Sequence, residues 1–394
     1  MKQFFKFTFA SCLGVLISSI LVIIFLVSVL GSLVSTEERV PERKDNSVVY
    51  KKLDKPIYDR EVSDLSMLGG IAEGEIGSSI GLTEFLYVLE RAKTDDRIKA
   101  IMLDITLLQA NGWATIEEMR QGIKDFKTSG KKVYVYSDML TQSAYYLASA
   151  GDKISMNPAG MLTMTGLGAE VMYYKDLLDK FDVDVELIRP KNNSYKSAGE
   201  TYITNKMSAE NREQIKAYLG AIWEHIAKNI VSERRLDAAE FENKISNLEL
   251  CLPKDALANK LIDEVSVKTD VEDMISKEVR AKHKLDKSDK ITFVKYAKYR
   301  KTLTNIFNVK QENIAIVYAY GDVNQGKGSD LSIGSETIVK SIRKAAANKS
   351  VKAIVLRVNS PGGDAIASEL ITNEVIKAKK IKPVIVSMGD VAAS

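Results

Sequence analysis

The chain has 394 residues, 45% apolar and 27% charged, the balance of a globular protein with a substantial core; 23 Gly and 7 Pro exclude a collagen-like or Pro/Gly-rich disordered chain. A net charge of +4 from 56 basic and 52 acidic residues leaves no footprint for nucleic acid. Two Cys, neither in a C-x-x-C pair, exclude a disulfide scaffold and argue against metal and dithiol sites, and two His leave little for a Ser-His-Asp mechanism.

The run from Phe7 to Thr36 carries no charge and is rich in Leu, Ile, Val and Phe. Roughly 20 such residues suffice to cross a bilayer as helix. Lys2 and Lys6 precede the run, which predicts a cytoplasmic N-terminus and a single-pass anchor, with the bulk of the chain on the other side. A cleaved signal sequence is the rival reading, although its apolar core usually spans only about 7–15 residues. Residues 1–36 are therefore assigned to a cytoplasmic stub and anchor. Cys12 falls inside it, which leaves Cys251 alone in the remainder.

An internal repeat organises the chain beyond the anchor. Ile98-Lys-Ala-Ile-Met-Leu-Asp-Ile105 and Val351-Lys-Ala-Ile-Val-Leu-Arg-Val358 read alike, and both suit a buried parallel strand. Each is preceded by an amphipathic helix pattern, Phe85, Leu86, Leu89 and Ala92 in the first copy and Ile338, Val339, Ile342 and Ala345 in the second. Each copy opens on a strand (Val48–Tyr50; Ile314–Tyr318) and continues through a second helix pattern to another (Val133–Tyr136; Val384–Val386). This alternation predicts a duplicated α/β domain with right-handed crossovers. The first repeat is assigned to 37–270, with a helical extension capped at Ser208. The Lys-rich stretch from about Lys268 to Lys301 reads as solvated, which places a linker at 271–311 and the second repeat at 312–394.

Three stretches hold candidate chemistry. In Asn359-Ser-Pro-Gly-Gly363, Pro361 fixes one φ and two glycines permit a tight turn whose N–H groups point outward at a helix N-terminus. Such a turn can hold an oxyanion, or simply join strand to helix. In Met388-Gly-Asp-Val-Ala-Ala-Ser394, a Ser follows small residues beyond a parallel strand, where a nucleophile can sit exposed. A Ser nucleophile needs a base. His225 lies beside a helical apolar stripe and His283 in the Lys-rich stretch, so a Lys is the stronger candidate. Lys196, in Ser194-Tyr-Lys-Ser-Ala198, follows an apolar strand pattern (Val183, Val185, Leu187, Ile188). To work near neutrality its amine must fall by about 3 pK units, costing about 4 kcal/mol, which a water-poor apolar pocket can impose.

Taken together and in this order, the anchor, the duplication and these three motifs resemble the signal peptide peptidase A family in its long, duplicated form. The resemblance implies a Clp protease/crotonase-like fold and a serine endopeptidase with a Ser/Lys dyad, anchored in the bacterial inner membrane with its catalytic part on the extracytoplasmic side. It implies Ser394 as nucleophile, Lys196 as general base, Gly362 as oxyanion donor and Gly363 as support for that turn. It further implies cleaved signal peptides as substrates, a homotetramer, and no metal, cofactor or nucleic acid. The first copy supplies Lys and the second Ser, while Gln142 stands where the first copy would need a nucleophile. The family continues past its nucleophile, so this chain is expected to be a fragment and inactive alone. Two alternatives remain: a non-catalytic membrane-anchored assembly subunit, and a crotonase-like acyl-CoA enzyme, which an exported location disfavours.

Overall fold

The computed structural model describes residues 2–34, 45–62, 79–110, 112–189, 192–303 and 313–393. The apolar run forms one helix, Lys2–Val34, in which Lys6–Phe25 is long and apolar enough to cross a membrane. None of that window is buried against the rest of the described chain.

The first repeat begins with β1 (Ser47–Lys52), the short β2 (Pro56–Tyr58) and β3 (Ile80–Gly81), and β4 (Ile98–Asp104). It continues through β5 (Gln109–Ala110), β6 (Lys132–Thr141), β7 (Lys153–Thr163), β8 (Glu264–Val265) and β9 (Thr292–Lys295). Six of these form an all-parallel sheet in the order β8-β7-β6-β4-β1-β9, and the other three form a small sheet, β3-β2-β5. A parallel sheet needs cover on both faces. On one face the helix Leu82–Thr94 buries Phe85, Val88, Leu89 and Ala92, and the helix Trp113–Lys127 buries Ile116, Met119, Ile123 and Phe126. These meet the sheet through Val49, Ile101, Leu103 and Val133.

The other face overturns the expected linker. The helix Lys268–His283 packs Val271, Ile275 and Val279 onto Val48, Ala100, Met102 and Tyr134. Then β9 joins the sheet edge beside β1, and the helix Tyr296–Thr302 buries Tyr296 and Tyr299. Through Leu303, residues assigned to a solvated linker thus complete the first repeat. A stripe one side chain wide is enough to seat a helix, and the surrounding lysines mask it in the composition.

In the second repeat β10 (Asn313–Tyr320) is followed by β11 (Asp322–Asn324), β12 (Gly328–Ser329) and β13 (Ser332–Gly334), then β14 (Val351–Ser360) and β15 (Val384–Ala392). The order β10-β14-β15 is parallel throughout. The helices Ser335–Ala347 and Ala365–Lys379 cover one face, packing Ile338, Ile342 and Ala378 on Val317, Ile354 and Leu356. The opposite face turns toward the first repeat. There Tyr318, Val355 and Arg357 share a cleft with Leu82, Thr83, Leu86 and Glu118, and the Thr83 and Tyr318 hydroxyls lie 2.7 Å apart. Duplicated α/β architecture is thus the observed fold.

Candidate active site

The Pro-Gly-Gly turn is built as a ledge against β11. Gly362 and Gly363 adopt φ of 103° and 153°, values an L side chain rarely takes. Gly363 forms an isolated parallel bridge with Val323. The Val323 N–H donates to the Gly362 carbonyl at 2.9 Å, and the Asp364 N–H donates to the Val323 carbonyl at 2.8 Å. A Cβ on Gly363 would lie 2.3 Å from the Val323 carbonyl oxygen, so close approach as well as φ selects glycine there. The first repeat carries the equivalent ladder, Ile57 beside Ala110, without the glycine pair.

The Gly362 N–H donates to Ser360 Oγ at 3.1 Å, and that hydroxyl donates to the Gly321 carbonyl at 2.6 Å. Among the described residues the Gly363 N–H takes no partner. Asp364 then caps the next helix, its Oδ1 accepting from the Ala367 N–H at 2.7 Å. That bond, with one from Gln325, holds the Asp364 carboxyl below its ordinary range.

The strand leading to Ser394 is tied to the same ledge. The Ala393 N–H donates to the Ser360 carbonyl at 3.0 Å, and the Val391 N–H donates to Asn359 Oδ1 at 3.2 Å. Gly389 lies so close that a Cβ would stand 2.9 Å from Asn359 Cγ. Ser394 itself lies outside the described residues. The residue before it is hydrogen-bonded two positions upstream of Gly362.

Lys196 is placed differently from the sequence expectation. The pattern Val183–Ile188 forms no strand: its residues join no ladder, and Ile188 is 88% exposed. Alternating apolar residues make a strand only where a partner accepts their backbone groups. Lys196 is exposed on a turn, its N–H donating to the Asn193 carbonyl at 3.2 Å and its carbonyl accepting from Arg189 Nη1 at 3.0 Å. No apolar pocket encloses it among the described residues. Its turn is nevertheless anchored. Gly199 takes φ 84°, and the buried Glu200 accepts from the Ser208 N–H at 3.0 Å and Asn211 Nδ2 at 2.7 Å. Burial pushes the Glu200 carboxyl up, but these bonds outweigh it and hold it below its usual range.

Gln142 follows β6 directly and is fully engaged. Its Oε1 accepts the Thr165 and Gly166 N–H groups at 3.2 and 2.9 Å, and its Nε2 donates to the Gly166 carbonyl at 3.2 Å. His225 is exposed, with Nε2 3.1 Å from Asn229 Nδ2. His283 is half-buried, and burial lowers its basicity.

Residues 125–282 match the model of Peptidase family S49. Over that segment the chain is similar to the family S49 peptidases. Protease 4 of Haemophilus influenzae is 33% identical over 323 residues, covering 80% of this chain and 52% of that one. The chloroplastic serine protease SPPA of Arabidopsis thaliana is 29% identical over 345 residues, covering 84% of this chain and 49% of that one. The chain thus spans about half the length of these curated relatives. A solved enoyl-CoA hydratase/isomerase from Marinobacter aquaeolei aligns with a TM-score of 0.30 at 12% identity, over 51% of this chain and 66% of that one. The S49 match takes in Gln142 and Lys196, while the Gly362–Gly363 ledge and Ser394 belong to the second repeat beyond it.

Proposed function

We propose that the protein is a membrane-associated serine endopeptidase whose reaction joins the two repeats. Ser394 attacks the peptide carbonyl, neutral Lys196 takes the hydroxyl proton, and the Gly362–Gly363 ledge stabilises the oxyanion. Lys196 then returns the proton to the leaving amine, and water hydrolyses the acyl-enzyme. The observation that carries this reading is the ledge: a glycine pair held open by Val323, with the chain that leads to Ser394 bonded to Ser360 beside it. Gly363, whose N–H has no partner among the described residues, is a donor alongside or in place of Gly362.

Lys196 stands exposed on the single chain, so its desolvation falls to a second copy or to bound substrate. A homotetramer meets that need. The apolar helix Lys2–Val34 anchors the assembly at the inner membrane with the repeats on the extracytoplasmic side, and cleaved signal peptides are the substrate class.

The test is peptide hydrolysis by the natural protein that carries this sequence. Ser394→Ala and Lys196→Ala should each lower kcat by about 10³-fold or more. Gly363→Ala should lower it by about 10²-fold. A Lys196→Ala protein of wild-type activity would remove the dyad. Unchanged hydrolysis in Ser394→Ala would remove Ser394 as nucleophile, and wild-type hydrolysis no faster than the uncatalysed reaction would favour the non-catalytic assembly subunit.

A further inference from the structure

Asp390 stands four positions before Ser394 and binds not its own repeat but the other one. Its Oδ1 accepts the Thr115 backbone N–H at 2.8 Å, and its Oδ2 accepts the Thr115 hydroxyl at 2.6 Å. Thr115 lies in the first turn of the helix Trp113–Lys127. That helix begins on Gly112, which has no side chain to cap it, and has no acidic residue in its first turn. The amide Asp390 takes is the one an N-cap carboxylate ordinarily accepts, and helix polarity favours negative charge there. Here the cap arrives from 275 positions along the chain.

The fit is mutual. A Cβ on Gly112 would lie 2.5 Å from Asp390 Cγ. The backbone at Gly112 is extended, so space rather than conformation excludes a side chain. Glycine at this position therefore both leaves the helix uncapped and admits the foreign carboxylate.

On the strand side, Asp390 occupies a bulge. β14 and β15 pair Val358 with Met388 and then Ser360 with Ala392, so two steps on one strand face four on the other. The extra residues leave the ladder between Met388 and Ala392. Bulges re-aim the chain beyond them. This one is held from inside by Asn359, which takes the Val391 N–H, and from outside by the helix that Asp390 caps.

We propose that Asp390 is a positioning residue: by capping the helix Trp113–Lys127 it fixes the path of the bulge, and with it the approach of Ser394, against the repeat that carries Lys196. The catalytic part of this assignment rests on Ser394 as nucleophile. The contact between Asp390 and the helix does not.

The experiment compares Asp390→Ala, Asp390→Asn, Thr115→Val and the Asp390→Ala/Thr115→Val double variant in the natural protein carrying this sequence. Two readouts are taken: peptide hydrolysis and amide exchange by mass spectrometry. Misplacement of a nucleophile by an ångström costs about 10²-fold. Asp390→Ala should therefore lose about 10- to 100-fold in kcat with KM within about twofold of wild type. Thr115→Val, which deletes one bond only, should lose less. The double variant should be no worse than Asp390→Ala. Asp390→Asn, which keeps an acceptor for the Thr115 N–H, should recover most of the rate. Exchange should quicken in residues 113–117 and 388–393. Wild-type kcat in Asp390→Ala, or losses from the two single changes that multiply in the double variant, would overturn the positioning role. Should Asp390→Ala not fold, Thr115→Val carries the same test: unchanged kcat and exchange overturn the proposal. If wild type cleaves peptides no faster than Ser394→Ala, the peptidase reading fails by itself. Exchange in the same two segments then decides the cap, and an unchanged pattern rejects it.

Discussion

Arg357 donates from Nε to Asp59 Oδ1 at 2.9 Å across the boundary between the repeats, with only 8% and 4% of the two side chains exposed. The same guanidinium donates from Nη1 to Ser387 Oγ at 3.0 Å and the Met388 carbonyl at 3.3 Å, and its Nη2 pairs with Glu118 Oε1 at 2.6 Å. One cation thus binds the loop after β2, the helix Trp113–Lys127 and the strand that leads toward Ser394. A guanidinium spreads five N–H donors over three nitrogens in a rigid plane, whereas an ammonium offers three from a single atom. Removing one partner of a buried pair leaves the other unpaired at a cost of about 3–5 kcal/mol. Arg357→Met, which strands Asp59, is expected to lower unfolding free energy by that amount, Asp59→Ala by less because Glu118 still pairs with the guanidinium, and the double variant by less than their sum. Urea unfolding of the four proteins forms the cycle that checks it, and strict additivity would refute the coupling.

The equivalent strand position in the first repeat carries the opposite charge. Asp104 Oδ2 lies 2.8 Å from Lys268 Nζ and accepts from the Tyr50 hydroxyl at 3.0 Å, while Oδ1 accepts from Thr106 Oγ1 at 2.9 Å. Burial pushes the Asp104 carboxyl up, but hydrogen bonds and charge from Lys268, helped by Thr106 and Tyr50, hold it below its ordinary value. A carboxyl depressed on folding contributes stability that is fully present above its unfolded pKa of about 3.9 and lost as pH falls through the folded value. Stability should therefore decline with acid below about pH 4, and Asp104→Asn should flatten that limb. Urea midpoints at pH 3 to 7 provide the comparison, in which an acid limb equally steep in the variant contradicts the assignment.

Where one element alone decided the pattern, the sequence was legible. Ile98–Asp104 and Val351–Ser360 are apolar on both sides, so they had to be interior parallel strands, and the helices before them carry full apolar faces. What escaped depended on distant partners. Val271, Ile275 and Val279 count for little until Ala100 and Tyr134 are there to receive them. Val183 to Ile188 have a strand's alternation and no strand to pair with. Asp390 and Gly112 look like loop residues until the two repeats meet, although a helix starting on Gly with no acidic residue in its first turn was a signal that its cap comes from elsewhere. At the site, the glycine pair was readable because φ and close approach leave a mark in residue type. The surroundings of Lys196 were not, because a pocket is made by whatever covers the amine.

Gln142, at the start of the helix after β6, has a structural task. It ties Thr165 and Gly166, just beyond β7, to the end of β6 through two accepted N–H groups and one donated bond. Gln142→Ala leaves the Thr165 and Gly166 amides without that acceptor, for an expected loss of about 1 kcal/mol. Exchange should rise at 164–167 and stay unchanged in β10, β14 and β15. Protection at Thr165 and Gly166 equal to wild type would show that the side chain does not hold them.

Lys51 is an amine that burial does depress. Its Nζ lies 4.4 Å from the centroid of the Tyr296 ring, and desolvation lowers it to about 8, with Asp54 opposing the shift and Lys55 adding to it. A lysine whose folded pKa falls below its unfolded value of about 10.4 binds its proton less tightly in the native state. The penalty for charging it is complete below the folded value and is relieved as pH rises through the interval between the two. Stability should accordingly gain with pH above about 8, relative to a Lys51→Met protein that lacks the group. The same substitution should raise the urea midpoint at pH 7, where wild type still carries the buried charge. Pulse acylation resolved by peptide mapping reads the group directly: Lys51 should reach half-maximal reactivity near pH 8, well before lysines with ordinary values near 10.4. Reactivity of Lys51 that rises only with those other lysines would show that its amine is hydrated in the native protein, and the difference between wild type and Lys51→Met should then carry no pH dependence in that interval.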